Sequence, residues 1–300
     1  MDFLTGIPSP EISYIDLGPV RVHFYALFIL TGIVIATALA DSKLHKRGAE
    51  RGSMLDIALW AVPFGILGGR FFHVITHPDD YFYEGADLLA TLRIWEGGLA
   101  IYGAISIGAI GAYIGARQLG IRFLTIADAV APGILIAQGI GRLGNYFNEE
   151  LFGLPTELPW GLQISSTNPA YPNGLPDGLL FHPTFLYEMI WNLTGAALIL
   201  LLAARLNLQW GKVFALYLIV YSTGRIWIES IRIDPSEIIL GLRVNIWSAL
   251  IGLTLGILIF LVQSRRHPGL EPSIWMPGRE PAPEGTNEPL AVDSAEEKNS

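Results

Sequence analysis

Seven stretches of this chain are apolar over lengths that suit a bilayer better than water, and this narrows the possible folds more than any other feature. A helix that crosses a membrane needs about 20 mostly apolar residues. Residues 24–40, 97–116 and 244–262 contain no charged side chain at all. Four more runs qualify with ionisable interruptions: 55–69 with Asp56, 123–141 with Asp128, 183–204 with Glu188, and 213–231 with Arg225 and Glu229. The second run is short and holds Pro63, and the fourth holds Pro132, so these two are the weakest of the set. The pattern predicts an all-α polytopic membrane protein of about seven transmembrane helices. Composition agrees, since only 15% of residues are charged where a soluble domain has roughly 25%.

The net charge of −8 misleads unless its location is considered. Seven of the 27 acidic residues lie in the last 30 positions, leaving the apolar part nearly neutral. Residues 1–266 therefore read as one transmembrane domain, and 267–300, rich in Pro, Glu, Ser and Asn, as a disordered acidic cytoplasmic tail. Nothing suggests a nucleic-acid partner. Cysteine is absent, which excludes disulfides, thiolate metal sites and a cysteine nucleophile. The first run is not expected to be a cleavable signal, because residues 1–20 lack Lys and Arg.

Basic residues orient a membrane protein. Lys43, Lys46, Arg47, Arg51, Arg117, Arg122, Arg205, Lys212, Arg265 and Arg266 all fall on one face of a seven-span layout. That face is expected to be cytoplasmic, with the N-terminus outside and the C-terminus inside. The connection 154–182, with five prolines, is long for a bundle. It suits a functional lid or binding loop, or a variable insertion.

Charges inside the spans need a partner or a purpose, since an ionisable group at mid-membrane costs about 2.5–3.5 kcal/mol. Arg225, Glu229 and Arg232 are spaced four and three apart, on one helical stripe. Glu229 can neutralise only one of the two arginines. The stripe calls for another carboxylate or an anionic ligand, unless it is a structural ion pair. Arg142, Asn145, Asn148, Glu149 and Glu150 lie among Gly141, Gly144 and Gly153 at the end of the fourth run. A guanidinium fork suits phosphate, so this cluster reads as an anion or headgroup site, or as a wet helix end. His182, Tyr187 and Glu188 open the fifth run behind Pro183, and Glu188 could supply the missing counter-charge to Arg142, Arg225 or Arg232. Glu96 and Tyr102 flank the mouth of the third run, where a tyrosine is commonly an interfacial anchor.

Taken together, the segments resemble the bacterial prolipoprotein diacylglyceryl transferase family. The strongest match is the stretch 141–153, an Arg and an Asn in a glycine frame followed by Asn, Glu and Gly. In order along the chain come Tyr25 in the first run, Trp95-Glu-Gly-Gly98 before the third, His182 to Glu188, and Arg225 to Glu229 with Arg232 and Asp234. The resemblance covers about residues 15–265. It implies transfer of a diacylglyceryl group from phosphatidylglycerol to the lipobox cysteine thiol of a prolipoprotein signal peptide. The products are a thioether and glycerol 1-phosphate, and neither cofactor nor metal is involved. It also implies a multi-pass protein of the bacterial inner membrane, among membrane lipids, carrying out the first step of lipoprotein maturation.

The same resemblance implies roles. Arg142 and Arg225 match the phosphate-binding arginines, oriented by Glu229 and Glu150. Asn145, Asn148, Gly153, His182, Tyr187, Glu188 and Arg232 would line the substrate site, with Tyr25 near the lipid headgroup. One position departs from the pattern: many members carry a histidine where this chain has Tyr102. A tyrosine with pKa near 10 is a poor base. The base is then another group, or the phosphate site alone lowers the thiol pKa, or the chain is an inactive relative; the intact arginine pair favours the second. The competing classes are a path for an anionic solute, which also uses arginines in spans, and a non-catalytic scaffold.

Overall fold

The computed structural model describes residues 6–18 and 20–280. Seven α-helices run through the described residues: α1 (Phe24–His45), α2 (Ser53–Thr76), α3 (Ile101–Leu119), α4 (Phe123–Phe147), α5 (Thr184–Leu206), α6 (Lys212–Ile231) and α7 (Val244–Arg266). Each matches one of the seven apolar runs. Five of them, α1, α2, α4, α5 and α7, are long and apolar enough to cross a membrane. Glycines and a terminal Arg117-Gln118 dilute α3, and α6 carries Lys212, Arg225 and Glu229. The framework is that of an all-helical polytopic membrane protein.

Helices in lipid gain little from burying apolar surface against each other, so close backbone approach at small residues takes over. A Cβ on Gly103 would come within 2.3 Å of Gly68 O, which locks α3 onto α2. Gly133 in α4 faces Ala36 of α1 equally tightly, with a Cβ 2.8 Å from its Cα. Large apolar side chains point outward instead: Leu30, Val34, Leu59, Leu67, Ile251 and Leu258 are all exposed. Helix α4 sits at the centre, packed by α1, α5 and α6. Pro63 and Pro132 lie inside α2 and α4, and both helices continue past them.

The third run starts its helix later than the apolar pattern implies. Gly97 and Gly98 take φ of 92° and 74°, so the chain turns there and α3 begins at Ile101. Arg70 fixes this turn by donating to Gly97 O at 2.6 Å and Gly98 O at 3.1 Å.

Short strands decorate the end of the bundle where α4 finishes. An antiparallel hairpin pairs β1 (Tyr14–Leu17) with β2 (Val20–His23). Within 154–182, β3 (Pro155–Thr156), β4 (Leu162–Gln163) and β5 (Leu180–Phe181) form a sheet in the order β3-β5-β4. Its apolar side joins Phe152 and Phe185 in a buried cluster, so this loop is folded onto the bundle. A further hairpin, β6 (Ile238–Ile239) with β7 (Leu242–Arg243), leads into α7.

The expected boundary of the acidic tail at 267 needs correction. Ile274 is buried against α1 and α4 residues, and Ile121 and Trp275 form a β-bridge. Glu271 is buried as well, paired with Arg47 at 2.5 Å and accepting from Thr125 Oγ1 at 2.9 Å. Residues 267–280 are thus folded onto the bundle, because Ile274 and Trp275 supply apolar anchors within the polar sequence. The remainder of the proposed tail, 281–300, lies outside the described residues.

Candidate active site

The charged stripe of α6 meets the glycine-framed cluster of α4 at Glu188, one turn inside α5. Arg142 Nη2 lies 2.5 Å from Glu188 Oε1, and Arg225 Nη1 lies 3.8 Å from Glu188 Oε2. Two guanidinium groups from different helices therefore converge on one carboxylate, which is itself buried. The counter-charge expected from the sequence is this residue. Arg142 Nε and Glu188 Oε1 are buried without a hydrogen-bond partner. The Arg142–Glu188 contact is thus one of charge, lacking hydrogen-bond alignment, with Nε the one nitrogen of Arg142 left unengaged.

Glu229 continues the network. Arg225 Nη2 lies 2.8 Å from its Oε2, four residues along α6 as the spacing predicts. Arg232 does not extend the helical stripe. It caps α6 in an extended conformation and reaches back to Glu229 Oε2 at 3.7 Å. Its closer partner is Asp234, gripped through Nε at 2.7 Å and Nη2 at 2.9 Å.

Two members of the network were not among the expected site residues. Arg243 donates to Glu229 Oε1 at 2.8 Å and to Asp234 Oδ2 at 3.2 Å. Asn245 donates to the same Glu229 oxygen at 2.9 Å. Both lie where β7 runs into α7, across a hairpin from α6. The residue signal was present in Arg243 beside an apolar run, but only the fold brings it to Glu229.

The α4 end is organised by amides. Arg142 Nη1 donates to Asn145 Oδ1 at 2.9 Å, and Asn145 Nδ2 donates to Glu150 Oε1 at 2.7 Å. Asn148 Nδ2 donates to that same oxygen at 3.3 Å. Glu150 thus orients Arg142 through Asn145. Tyr25, at the start of α1, lies over Gly144, where a Cβ would come within 2.4 Å of its ring. Gly153 is equally confined, since a Cβ there would sit 2.9 Å from both His182 Cβ and Ile231 O. Its backbone ties the loop to the site, its N–H donating to His182 O at 2.9 Å and its strand bridging Arg232.

His182 and Tyr187 form a separate group beside the arginines. His182 Nδ1 lies 3.0 Å from Tyr187 Oη, which also accepts from Trp160 Nε1 at 3.1 Å. Tyr187 stacks on Trp227 of α6. Tyr102 stands apart: it is 43% exposed near the start of α3, and no hydrogen bond joins it to the arginine network among the described residues. Glu149 takes a positive φ of 51° and holds Asn168 of the long loop through its backbone carbonyl at 3.0 Å.

Chemically, the arrangement presents two partly engaged guanidinium forks in a buried setting beside a fixed scaffold of ion pairs. Such a site suits a phosphate-bearing group, since bidentate guanidinium contacts to phosphate are strong and directional.

Comparison with known proteins gives a consistent answer. Residues 13–262 match the family model described as prolipoprotein diacylglyceryl transferase. A phosphatidylglycerol–prolipoprotein diacylglyceryl transferase of Leifsonia xyli subsp. xyli is 56% identical over 282 residues, covering 91% of this chain and 84% of that protein. The enzyme of the same name from Paenarthrobacter aurescens is 49% identical over 267 residues, covering 87% of this chain and 84% of the relative. The Streptomyces coelicolor transferase numbered 2 is 47% identical over 268 residues, covering 89% and 84%. The chain belongs to the prolipoprotein diacylglyceryl transferase family.

Proposed function

We propose that this chain transfers the diacylglyceryl group of phosphatidylglycerol to the thiol of a prolipoprotein's lipobox cysteine, the first step of bacterial lipoprotein maturation. Its relatives carry that activity in their names. The observation that carries the residue-level reading is the convergence of Arg142 and Arg225 on Glu188. In this reading all seven helices span the bacterial inner membrane. The N-terminus is outside, the C-terminus is cytoplasmic, and the arginine site faces the outer leaflet, where lipid enters laterally. That the site arginines gather at one end of the bundle supports this reading over an anion-conducting path.

The cysteine sulfur forms a bond to the glyceryl carbon while the carbon–oxygen bond to phosphate breaks. The oxygen keeps the electron pair and leaves as glycerol 1-phosphate. Negative charge therefore grows on the phosphate, where preorganised guanidinium groups in a water-poor site act most strongly. Arg142 and Arg225 hold that phosphate, and Asn145 steadies Arg142. Glu188 keeps both arginines in place before lipid arrives, and Glu229 anchors Arg225 from below. The same positive field favours the thiolate, whose proton passes to water. Tyr102 serves the lipid interface in this scheme and takes no proton.

The direct test uses purified protein in detergent, phosphatidylglycerol and a synthetic lipobox peptide. Mass spectrometry is expected to show the peptide heavier by one diacylglyceryl group in thioether linkage. An unmodified peptide, from protein that still binds the lipid, would overturn the reading.

A further inference from the structure

At the opposite end of the bundle from Arg142, a cavity of about 400 Å³ lies between α1, α4 and α5. Two kinds of wall dominate its lining, which also includes Ser42, Thr125, Asp128 and Gln209. One is cationic, made of Lys43, Lys46 and Arg47 at the end of α1. The other is apolar, made of Leu39, Leu200, Ala203, Ala204 and Val213. Helices α1 and α5 each pack on α4, and the cavity occupies the gap left between them.

The carboxylates nearby already have partners. Asp128 accepts from the Gly211 N–H at 2.8 Å and the Phe214 N–H at 2.9 Å, which caps the start of α6. Glu271 pairs with Arg47. Neither Lys43 nor Lys46 forms a salt bridge or hydrogen bond among the described residues. Lys43 feels the Asp128 carboxylate electrostatically, so the cavity combines an excess of positive charge, Lys43, Lys46 and Arg47 against Asp128 and Glu271, with an apolar floor that runs along the helices. Soluble anions need only the first of these. A phospholipid needs both, its phosphate meeting the ammonium groups and its chain lying on the α5 wall.

We propose that this cavity is a second anionic-phospholipid site, separate from the Arg142 site and placed in the opposite leaflet. Lys43 and Lys46 bind the headgroup phosphate. Leu200, Ala203 and Ala204 take the first part of an acyl chain. The bound lipid fills the gap between α1 and α5.

Native mass spectrometry of the delipidated full chain, titrated with dioleoylphosphatidylglycerol or dioleoylphosphatidylcholine, tests this. Wild type is expected to retain two phosphatidylglycerol molecules. One is lost in Arg142→Ala, and the other is weakened roughly 20- to 30-fold in Lys43→Ala/Lys46→Ala, from about 1 kcal/mol per lysine. Ala204→Trp, which fills the apolar floor without touching charge, is expected to lose the same second lipid. Because the two lipids respond to different variants, failure of the transferase reading at Arg142 leaves this result distinguishable. Unchanged binding in the lysine variant would overturn the proposal. So would displacement of the second lipid by millimolar inorganic phosphate, which marks a soluble-anion site. Appearance of that lipid only after removal of residues 281–300 would also overturn it, since the acidic tail would then be the occupant.

Discussion

The arginine network has two halves that use the same chemistry to different ends. Arg232 and Arg243 grip Asp234 and Glu229 through aligned hydrogen bonds of 2.7–3.2 Å, a bidentate pair among them. Arg142 and Arg225 approach Glu188 from two other helices, with Arg142 Nε and Glu188 Oε1 left without hydrogen-bond partners in a buried setting. A buried donor without a partner costs about 1–3 kcal/mol. Glu229 Oε2, between Arg225 and Arg232, is likewise buried without a hydrogen-bond partner, so the charge-only contacts extend along α6. The aligned half fixes the α6–α7 hairpin and presents Glu229 to Arg225. The unaligned half is where a phosphate can be received. Glu229 joins them, touching Arg225, Arg232 and Arg243 together.

This division orders the expected effects of substitution. Arg142→Ala and Arg225→Ala are expected to lower kcat/KM about 10²–10³-fold or more, as loss of a preorganised charge-stabilising donor does. Each also removes a partner of a buried carboxylate, so their thermal midpoints are expected to fall as well, and activity is compared per folded molecule. Near-normal turnover in either variant would break the division. Arg243→Ala is its mirror image. Removing one partner from buried Glu229 is expected to cost about 3–5 kcal/mol of stability, read as a lowered unfolding midpoint in detergent. Activity per folded molecule should fall less than in Arg142→Ala. A stable but inactive Arg243→Ala protein would move Arg243 into the substrate site.

Gly144→Ala probes the close contact between α4 and Tyr25 of α1. The added methyl meets the Tyr25 ring at 2.4 Å, and overpacking of this kind costs about 1–3 kcal/mol. KM for phosphatidylglycerol is expected to rise with it, and an unchanged KM would show that this contact does not shape the lipid site. Tyr102→Phe is expected to have the smallest effect, with turnover close to wild type in the peptide lipidation assay. Lost turnover with intact folding and lipid binding would instead assign proton transfer to the tyrosine hydroxyl.

Much of this was legible in the residues because the bilayer imposes a strict rule. Seven apolar runs correspond to seven helices among the described residues, and three of the charges interrupting them, Glu188, Arg225 and Glu229, meet with Arg142 from the end of the fourth run. Helical spacing placed Arg225 and Glu229 correctly, four apart on α6. It failed at Arg232, because α6 ends at Ile231 and the extended backbone there turns that side chain to Asp234, two residues on. Arg243 and Asn245 were invisible because their partners lie across a hairpin, beyond any local periodicity. The late start of α3 was set by two glycines at positive φ inside an otherwise uninterrupted apolar run. The segment 267–280 escaped because proline and acid content outweighed Ile274 and Trp275, whose burial depends on α1 and α4.

The most direct test is an experimental structure of the protein with phosphatidylglycerol bound at the Arg142 end. The prediction is a single lipid phosphate with oxygens about 2.7–2.9 Å from guanidinium nitrogens of both Arg142 and Arg225. A phosphate held by one arginine while the other keeps its carboxylate contacts and turns away would contradict it.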